Sequence, residues 1–383
     1  MSRLRVAVVG VGHLGQNHAR VLASLPGVEL VGVADTRSEQ ARAVAEKNGT
    51  LAFADYRVLL DVVDAVSVAV PTALHRQVAG AFLDRGIATM VEKPLATSLA
   101  EAEELVGLAR SRGTVLQVGH IERFNPALSA LDGLDLRPKY IAAERLSTYT
   151  FRSTDIGAVL DIMIHDIDLV LARVGAPVRS VSAVGVSVFG GHEDIANARI
   201  EFEDGCVANL TASRASFQTV REMRLWGEEG YASLDFANKT GTIVRPSEAL
   251  LRGELGLEGV DLSQPAAIKE HLFGTILRLD QVQTGGREPL ALELENFVHA
   301  VRGEERSRVS GEDALQAMRV ADQVLQSLNG HQWDGVPQAA VGPPTTTTAT
   351  ADPGHPLRGP ISWRLRGARG AAAEGATRAE TTR

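Results

Sequence analysis

Short apolar runs alternate with helix-length segments along the first third of the chain. The runs that predict strands read "LRVAVVG", "VELVGVAD", "AVSVAVP", "ATMVEKP" and "TVLQVGH". Between them, apolar positions recur at helical spacing, and the segment "SEQARAVAEKNG" closes at Gly49, as helices commonly do. Strands that are apolar throughout and alternate with helices indicate a parallel sheet covered on both faces. Because such connections are right-handed, we predict a doubly wound α/β fold.

The pattern changes after about Phe124. A long helix is predicted from about Ser153 to Arg173, and it ends at Gly175. Alternating segments joined by short polar turns then predict an antiparallel sheet, one face of which packs on the long helix. These segments read "VRSVSAVGVSVF", "IANARIEFED", "CVANLTASRAS", "VREMRLWGEEG" and "YASLDFANKTGTIVR". Two predicted helices follow, "EPLALELENFVHAVRG" and "SGEDALQAMRVADQVLQSLNG".

Length and composition divide the chain into three parts. At roughly 100–200 residues per domain, 383 residues indicate two folded domains. We place the doubly wound domain at residues 1–122 and the domain with a large open, mostly antiparallel sheet at 123–334. From Gly335 the composition shifts to Pro, Thr, Ala, Gly and Arg. Such a segment buries too little apolar surface to offset ordering, so residues 335–383 are predicted to be a disordered tail.

Charge and cysteine content exclude several classes of partner. The formal net charge is −8, which argues against electrostatic binding to nucleic acid or to an anionic membrane surface. No run approaches the roughly 20 apolar residues that span a bilayer. The lone cysteine, Cys206, cannot form an internal disulfide, so we expect a cytoplasmic protein. We expect no metal ion.

A glycine-rich motif follows the first predicted strand. The sequence Gly10-Val-Gly12-His13-Leu14-Gly15 is a G-x-G-x-x-G that ends a strand and opens a helix. Its first glycine permits a tight turn, the second lets the backbone approach a pyrophosphate, and the third allows close helix–strand packing. The helix N-terminus offers free N–H groups to the phosphates. We predict that this motif binds a dinucleotide; a purely structural glycine turn is the alternative.

An acidic residue ends the next predicted strand. Asp35 can accept hydrogen bonds from a ribose diol and would repel a 2′-phosphate, which favours NAD over NADP. Its neighbours Thr36 and Arg37 belong to the same predicted contact. Arg37 complicates the choice, since an arginine can pair with a 2′-phosphate.

Two more strand ends carry candidate residues, because ligands of such sheets bind at the carboxyl edge. After "AVPTALH", we expect Pro71, Thr72 and His75 to line the nicotinamide side of the cofactor, with Thr72 also capping the following helix. After "VEKP", Glu92 and Lys93 reach the same edge. Lys93 could hydrogen-bond a reacting hydroxyl and stabilise the developing alkoxide.

The Lys-Pro step that ends this strand leaves two questions open. Its proline, Pro94, is a candidate for a cis peptide bond. A surface lysine before a turn is the alternative to a catalytic Lys93.

The segment "LDIMIHDIDL" combines an apolar helix pattern with four charged or titratable side chains. At about 100° per residue, Asp161, His165 and Asp168 share one face, whereas Asp166 lies off it. A carboxylate one turn from a histidine can orient the imidazole and raise its basicity, so that His165 could accept a proton from an alcohol. A solvated polar stripe is the alternative. Asp168 is left undecided between the site and solvent.

The motifs "VAVVGVGHLGQNHAR", "AVPTALH" and "VEKPLATSLAEAEEL", followed by an Asp-x-x-x-His helix, resemble the glucose-fructose oxidoreductase / inositol dehydrogenase / MocA family. The resemblance covers about residues 3–330. It implies a Rossmann domain, a second α/β domain whose open sheet often forms the oligomer interface, and NAD(P)-linked oxidation of a sugar or cyclitol hydroxyl. The family's catalytic lysine matches Lys93, and its aspartate and histidine match Asp161 and His165.

A narrower resemblance is carried by "QVGHIERFNPA" and "LDIMIHDIDLVL". It is to members that oxidise C3 of UDP-N-acetylglucosamine, for which Arg123 and Asn125 could contact the sugar nucleotide. We therefore expect an NAD-dependent dehydrogenase that acts on a sugar or sugar nucleotide and forms a homodimer or homotetramer. A dehydrogenase of a free sugar or inositol, and a noncatalytic NAD(P)-binding sensor, are the alternatives.

Overall fold

The structure is a computed structural model that describes residues 3–150, 156–189, 191–254, 256, 260–283, 286–333 and 336–337. Apart from Val336 and Pro337, the predicted disordered tail lies outside the described residues, as does the predicted helix start at Ser153. Within these ranges, no helix combines the length and apolar character needed to cross a membrane.

Six parallel strands form the first sheet, and their bounds are β1 (Leu4–Val9), β2 (Val28–Ala34), β3 (Leu51–Phe53), β4 (Ala65–Val68), β5 (Ala88–Glu92) and β6 (Leu116–Gly119). The main connecting helices are α1 (Gly15–Ser24), α2 (Ser38–Asn48), α3 (His75–Asp84) and α4 (Leu99–Arg112). The strands run in the order β3-β2-β1-β4-β5-β6, which confirms the doubly wound fold. The order reverses between β1 and β4, and such a reversal opens a crevice at the carboxyl edge of the sheet.

Local sequence explains where these helices begin and end. Ser98 caps α4 by accepting a hydrogen bond from the Glu101 N–H, and Gly113 ends that helix at φ +61°. Gly49 ends α2 in the same left-handed conformation, at φ +63°. The end of α2 at Gly49 was predicted, and both helices end at glycine because this residue adopts the left-handed conformation without a Cβ clash.

The second sheet has eight strands, which are β7 (Tyr140–Leu146), β8 (Val178–Val186), β9 (Ile195–Phe202), β10 (Val207–Ser213), β11 (Val220–Gly227), β12 (Gly230–Asp235), β13 (Thr240–Pro246) and β14 (Leu277–Gln283). Their order is β14-β13-β12-β11-β7-β10-β9-β8, and only the β7–β10 pair is parallel. The mostly antiparallel sheet is therefore confirmed. Strands β7 and β14 were not predicted, although β7 lies near the centre of the sheet.

Two predicted elements have different bounds in the structure. The segment predicted as one strand from Tyr231 to Arg245 is two strands, because the chain turns before Lys239, which has φ +56°. The long helix begins later than predicted, as a π-helical turn Val159–Met163 that continues into α5 (Ile164–Val174). Glu193 fixes this start: its carbonyl and carboxylate oxygens each lie 2.9 Å from a backbone N–H at the beginning of the turn.

The remaining elements are α6 (Glu248–Leu251), α7 (Pro265–His271), which runs into a π-helical turn Leu272–Ile276, α8 (Pro289–Val301), α9 (Gly311–Gly330) and the short pair β15 (Gln332–Trp333) and β16 (Val336–Pro337). Helix α8 packs on the first sheet, where Leu294 and Phe297 are fully buried with Val6 and Val8. Helix α9 packs on α4, α5 and β8. The last two long helices thus connect the two sheets, and the domain boundary at residues 122/123 stays a prediction.

Candidate active site

The glycine loop joins β1 to α1 at the crevice. Gly10 has φ +83°, and a Cβ there would lie 2.7 Å from the Ala69 carbonyl oxygen. A Cβ on Gly15 would lie 1.8 Å from the Gly10 oxygen, so the turn itself requires both glycines. A Cβ on Gly12 would stay 3.6 Å from the nearest described atom, which belongs to Arg37. Glycine at position 12 therefore leaves room for a ligand, and the loop fits a dinucleotide pyrophosphate.

Asp35 lies at the end of β2 and accepts hydrogen bonds from the backbone N–H groups of Val11 and Arg37, at 3.0 and 2.9 Å. Burial disfavours its charged form, but the hydrogen bonds from Arg37 and Val11 outweigh burial and lower the pKa of Asp35. The guanidinium of Arg37 also rests on this carboxylate, at 3.3 Å. A charged acid with spare acceptor capacity at this position fits a ribose diol.

A buried histidine connects three elements beneath the loop and was not predicted. His18 on α1 lies 2.8 Å from the Ser67 hydroxyl on β4 and 2.9 Å from the Glu92 carboxylate on β5. Burial opposes ionisation of Glu92, but the hydrogen bond and charge of His18 hold its pKa low. Glu92, which we predicted to contact the cofactor, is therefore bound to His18 and fixes the end of β5.

The segment after β4 differs from the prediction. A 3₁₀ turn begins at Thr72, directly after Pro71. Thr72 therefore does not cap α3, because the N-cap residue of that helix is Leu74. His75 is buried, and its ring nitrogens lie 2.9 Å from the carbonyl oxygens of Val70 and Pro94. His75 thus joins two loops of the cofactor edge, and its contact with the cofactor stays a prediction.

The rest of the predicted cofactor edge is accessible. His13, Leu14, Thr36 and Pro71 are exposed at the carboxyl ends of the strands, and their cofactor contacts stay predictions. No group of His, Cys, Asp and Glu in the described ranges is arranged to hold a metal ion.

Lys93 brings the two sheets together. It follows β5, its peptide bond to Pro94 is cis as anticipated, and its ammonium group crosses to the helix that precedes β8. The Nζ atom lies 2.6 Å from the Asp161 carbonyl oxygen and 2.9 Å from its carboxylate. Only 16% of the Lys93 side chain is exposed, so this is a partly buried ion pair and not a surface lysine.

Asp161 does not orient His165, which corrects the predicted pair. Asp161 lies in the π-helical turn, where hydrogen bonds close at i+5, so the i, i+4 spacing of a regular α-helix does not apply. Its carboxylate binds Lys93, and the buried Nδ1 of His165 has no hydrogen-bond partner among the described residues. Burial, and then the charges of Lys93 and Arg145, hold the pKa of His165 well below 6.5. The imidazole is therefore neutral at physiological pH.

The two residues predicted to contact the sugar nucleotide are held by protein groups. Arg123 forms a two-point ion pair with the buried Asp168, at 2.6 and 2.9 Å. This contact places Asp168 inside the protein and not in solvent. Asn125 donates both amide N–H groups, to Glu122 and to the Phe236 carbonyl, and so has none free for a ligand. Asn125 thus joins two parts of the protein through its amide, and its contact with a sugar nucleotide stays a prediction.

A second buried ion cluster lies beside His165. Arg145 on β7 pairs with Asp166 at 2.7 Å and with Glu122 at 2.8 Å. Asp166 thus joins α5 to the centre of the second sheet. The sequence pattern gave it no role, because it lies off the polar stripe. The unpredicted strand β7 supplies its partner, so no local pattern could have revealed the pair.

Two further buried residues were missed, His120 and Glu293. His120 follows β6, its ring lies 6.1 Å from that of His165, and neither of its nitrogens has a described partner. Glu293 on α8 is fully buried, and both of its carboxylate oxygens also lack a described partner. Burial, and then repulsion from Glu92 and Asp168, raise its pKa well above the usual value. The strand-end rule that selected Lys93 could have found His120, which directly follows β6.

A dinucleotide site on one sheet thus faces a lysine and a neutral histidine, the arrangement of a nicotinamide-dependent oxidoreductase. Residues 4–120 match an oxidoreductase family with an NAD-binding Rossmann fold, and residues 136–233 match the GFO/IDH/MocA C-terminal domain. The chain belongs to the GFO/IDH/MocA oxidoreductase family. The predicted family and enzyme class are confirmed.

Individual proteins of known activity or structure are similar to this chain. The UDP-N-acetylglucosamine 3-dehydrogenase of Acidithiobacillus ferrooxidans is 37% identical over 304 residues, which cover 79% of this chain and 90% of that protein. Its solved structure, at 35% identity, has a TM-score of 0.75 and covers 86% of this chain and 98% of that one. The scyllo-inositol 2-dehydrogenase (NAD(+)) of Bacillus subtilis is 32% identical over 233 residues, 56% of this chain and 68% of that protein. A levoglucosan dehydrogenase in complex with NADH and levoglucosan shares the fold, with a TM-score of 0.72 at 19% identity, and covers 85% of this chain and 97% of that one.

The raised pKa of Glu293 makes stability depend on pH. Folded Glu293 keeps a proton that the unfolded chain releases near pH 4.3, so the free energy of unfolding should fall as pH rises above about 5, toward the raised pKa. Glu293→Gln removes this loss, and its advantage over the wild type should grow by up to about 1.4 kcal/mol per pH unit in that window. Urea unfolding between about pH 5 and 8 measures the difference. Equal pH slopes for Glu293→Gln and for Glu295→Gln, a surface-paired residue of the same helix, would contradict a protonated Glu293.

Proposed function

We propose that this protein is an NAD-dependent dehydrogenase that oxidises the C3 hydroxyl of UDP-N-acetylglucosamine to a ketone. One observation carries the chemistry: Lys93 at the cofactor edge reaches the helix that carries His165, across 68 residues of sequence. The relative at 37% identity supports the sugar-nucleotide substrate.

The site suggests how the residues divide the work. Lys93 donates a hydrogen bond to the reacting hydroxyl oxygen and stabilises negative charge that develops there. Neutral His165 accepts the hydroxyl proton, as a general base must be unprotonated before the reaction. Asp161 holds the lysine ammonium in place, which replaces its predicted role on the histidine. Gly10, Gly12 and Gly15 would hold the pyrophosphate of NAD, and the bound cofactor would supply the acceptor for the hydride of the sugar carbon.

Removal of either catalytic side chain should abolish most turnover. Lys93→Met and His165→Asn should each lower kcat by about 10²–10⁴-fold, the usual value of one positioned donor or base. NADH formation should be followed by absorbance with a panel of UDP-sugars, free sugars and inositols. Because the pKa of His165 is lowered, activity should persist below pH 6.5 and decline only as pH falls through that lowered value.

Matched surface variants control for general effects of substitution. Lys47→Met, at the exposed end of α2, and His299→Asn, on α8, should both keep near-normal activity. Near-normal turnover of His165→Asn would remove it as the base. Turnover of scyllo-inositol or a free sugar, without turnover of UDP-N-acetylglucosamine, would replace the proposed substrate. Cofactor binding without turnover of any compound would indicate a sensor.

We propose NAD as the preferred cofactor, supported by the charged Asp35 at the ribose position. Asp35→Ser should remove repulsion of a 2′-phosphate and free the Arg37 guanidinium, which now rests on that carboxylate. The ratio of kcat/KM for NADP to that for NAD should rise by at least about tenfold, the equivalent of 1.4 kcal/mol. Asp61→Ala, whose side chain is 80% exposed, is the control. A wild-type enzyme that prefers NADP would refute this assignment.

We propose that the chain forms a homodimer or homotetramer through the open face of the second sheet. A cluster of tilted aromatic rings supports this face: the ring centre of Trp226 lies 5.2 Å from that of Tyr140 and 5.1 Å from that of Tyr231, and 36% of Trp226 is exposed. Light scattering should give an assembled mass, and Trp226→Glu should lower it. A monomeric wild type would exclude the proposal.

The cytoplasmic location expected from the lone Cys206 stays a prediction, which cell fractionation tests.

A further inference from the structure

Four cationic side chains lie around α5 and the π-helical turn before it, and three of them have a close carboxylate of their own. Lys93 has Asp161 at 2.9 Å and Arg123 has Asp168 at 2.6 Å. Arg145, the third, is paired on two sides. The fourth, Arg221, has one ion-pair contact with a described residue, at 3.9 Å.

The partner of Arg221 is already engaged. That contact is to Glu122, whose same carboxylate oxygen lies 2.8 Å from Arg145. The guanidinium of Arg221 is therefore the least neutralised cation of the group within the described chain. About half of its side chain, 48%, is exposed, so a ligand can reach it without unfolding the protein.

The sheet register turns Arg221 toward the reaction centre. Arg221 on β11 pairs directly with Arg145 on β7, and side chains of such antiparallel partners lie on the same face. Arg145 in turn binds Asp166, the neighbour of His165 on α5. Met223, two residues further along β11, shares this face and is buried. Arg221 thus lies on the face of the sheet that carries the Arg145–Asp166 pair. Its charge adds to burial and to the charges of Lys93 and Arg145 in lowering the pKa of His165.

We propose that Arg221 anchors the diphosphate of a nucleotide-sugar substrate, an inference that rests on the proposed function. A guanidinium presents a planar set of donors that matches phosphate oxygens in pairs, and it stays charged at every physiological pH. The diphosphate of a nucleotide sugar is attached to the ring that carries the reacting hydroxyl. A cation beside His165 therefore lies where that group must pass. Free sugars and inositols have no anionic group, so Arg221 separates the two classes of substrate.

The test compares Arg221→Gln with the wild-type enzyme in two measurements. Calorimetric titration with UDP, in the presence of NADH, reports binding without turnover. Loss of one charge-assisted contact should weaken UDP binding by about 10–100-fold. In steady-state kinetics with UDP-N-acetylglucosamine, KM should rise by a similar factor while kcat changes little, because the diphosphate does not take part in the chemistry. Arg221→Lys should recover part of the affinity.

Arg110→Gln is the matched control. Arg110 lies in the last turn of α4, at the opposite edge of the first sheet from the glycine loop, and 72% of its side chain is exposed. It should leave UDP affinity, KM and NADH affinity unchanged, and Arg221→Gln should also keep its NADH affinity and melting temperature.

The outcomes separate the two proposals. If the wild type oxidises UDP-N-acetylglucosamine but Arg221→Gln keeps its UDP affinity and KM within twofold, Arg221 is not the anchor and the proposed function stands. A fall in kcat with unchanged KM would equally overturn the anchor, because it would indicate an effect on the chemistry. If the wild type neither binds UDP nor oxidises the UDP-sugar, both proposals fail.

Discussion

The contact between Lys93 and Asp161 is the constraint on which the site depends. A lysine at the end of a Rossmann strand would ordinarily extend into the crevice, where it could adopt many rotamers. Here a carboxylate and a carbonyl oxygen from the second sheet's helix fix its ammonium group at 2.9 and 2.6 Å. The π-helical turn presents both oxygens to one donor, and such turns are frequent at functional sites. The cofactor edge and the helix of His165 are thereby held in one arrangement.

The rest of the site follows from the cost of burying charge. Buried ions must be paired and hydrogen-bonded, and removal of one partner leaves the other uncompensated. Asp166 and Asp168 lie on a helix with an apolar pattern, yet each has an arginine from another element. These arginines fix the rotation of α5 about its axis, and with it the direction in which His165 points. The charges that seemed out of place in the helix therefore set its orientation.

Burial also explains why the unpaired groups His165, His120 and Glu293 are neutral. The rings of His165 and His120 lie 6.1 Å apart, and burial, with nearby cations acting in the same direction, lowers the pKa of both imidazoles. Glu293 is buried on α8, where burial, and then the charges of Glu92 and Asp168, raise its pKa, so it keeps its proton. Buried neutral groups thus occur in the same protein interior as the paired ions of α5 and its neighbours. A neutral imidazole next to a fixed ammonium group is suited to receive a proton from a hydroxyl whose oxygen the ammonium stabilises.

Sequence alone determined features that depend on near neighbours in the chain. The sequence identified the apolar strands, the glycine loop, Asp35 and the Lys93-Pro94 dipeptide. Each of these is set by backbone geometry or by periodicity within one element. The tertiary structure decided which side chains meet. Helical spacing predicted that Asp161 would orient His165, but a π-helical turn and a lysine from the other sheet redirected that carboxylate. Strand β7, and therefore the partner of Asp166, could not be predicted from local pattern. The same holds for Glu293 and Arg221, whose significance arises from charges brought close by folding, and sequence spacing records no such proximity.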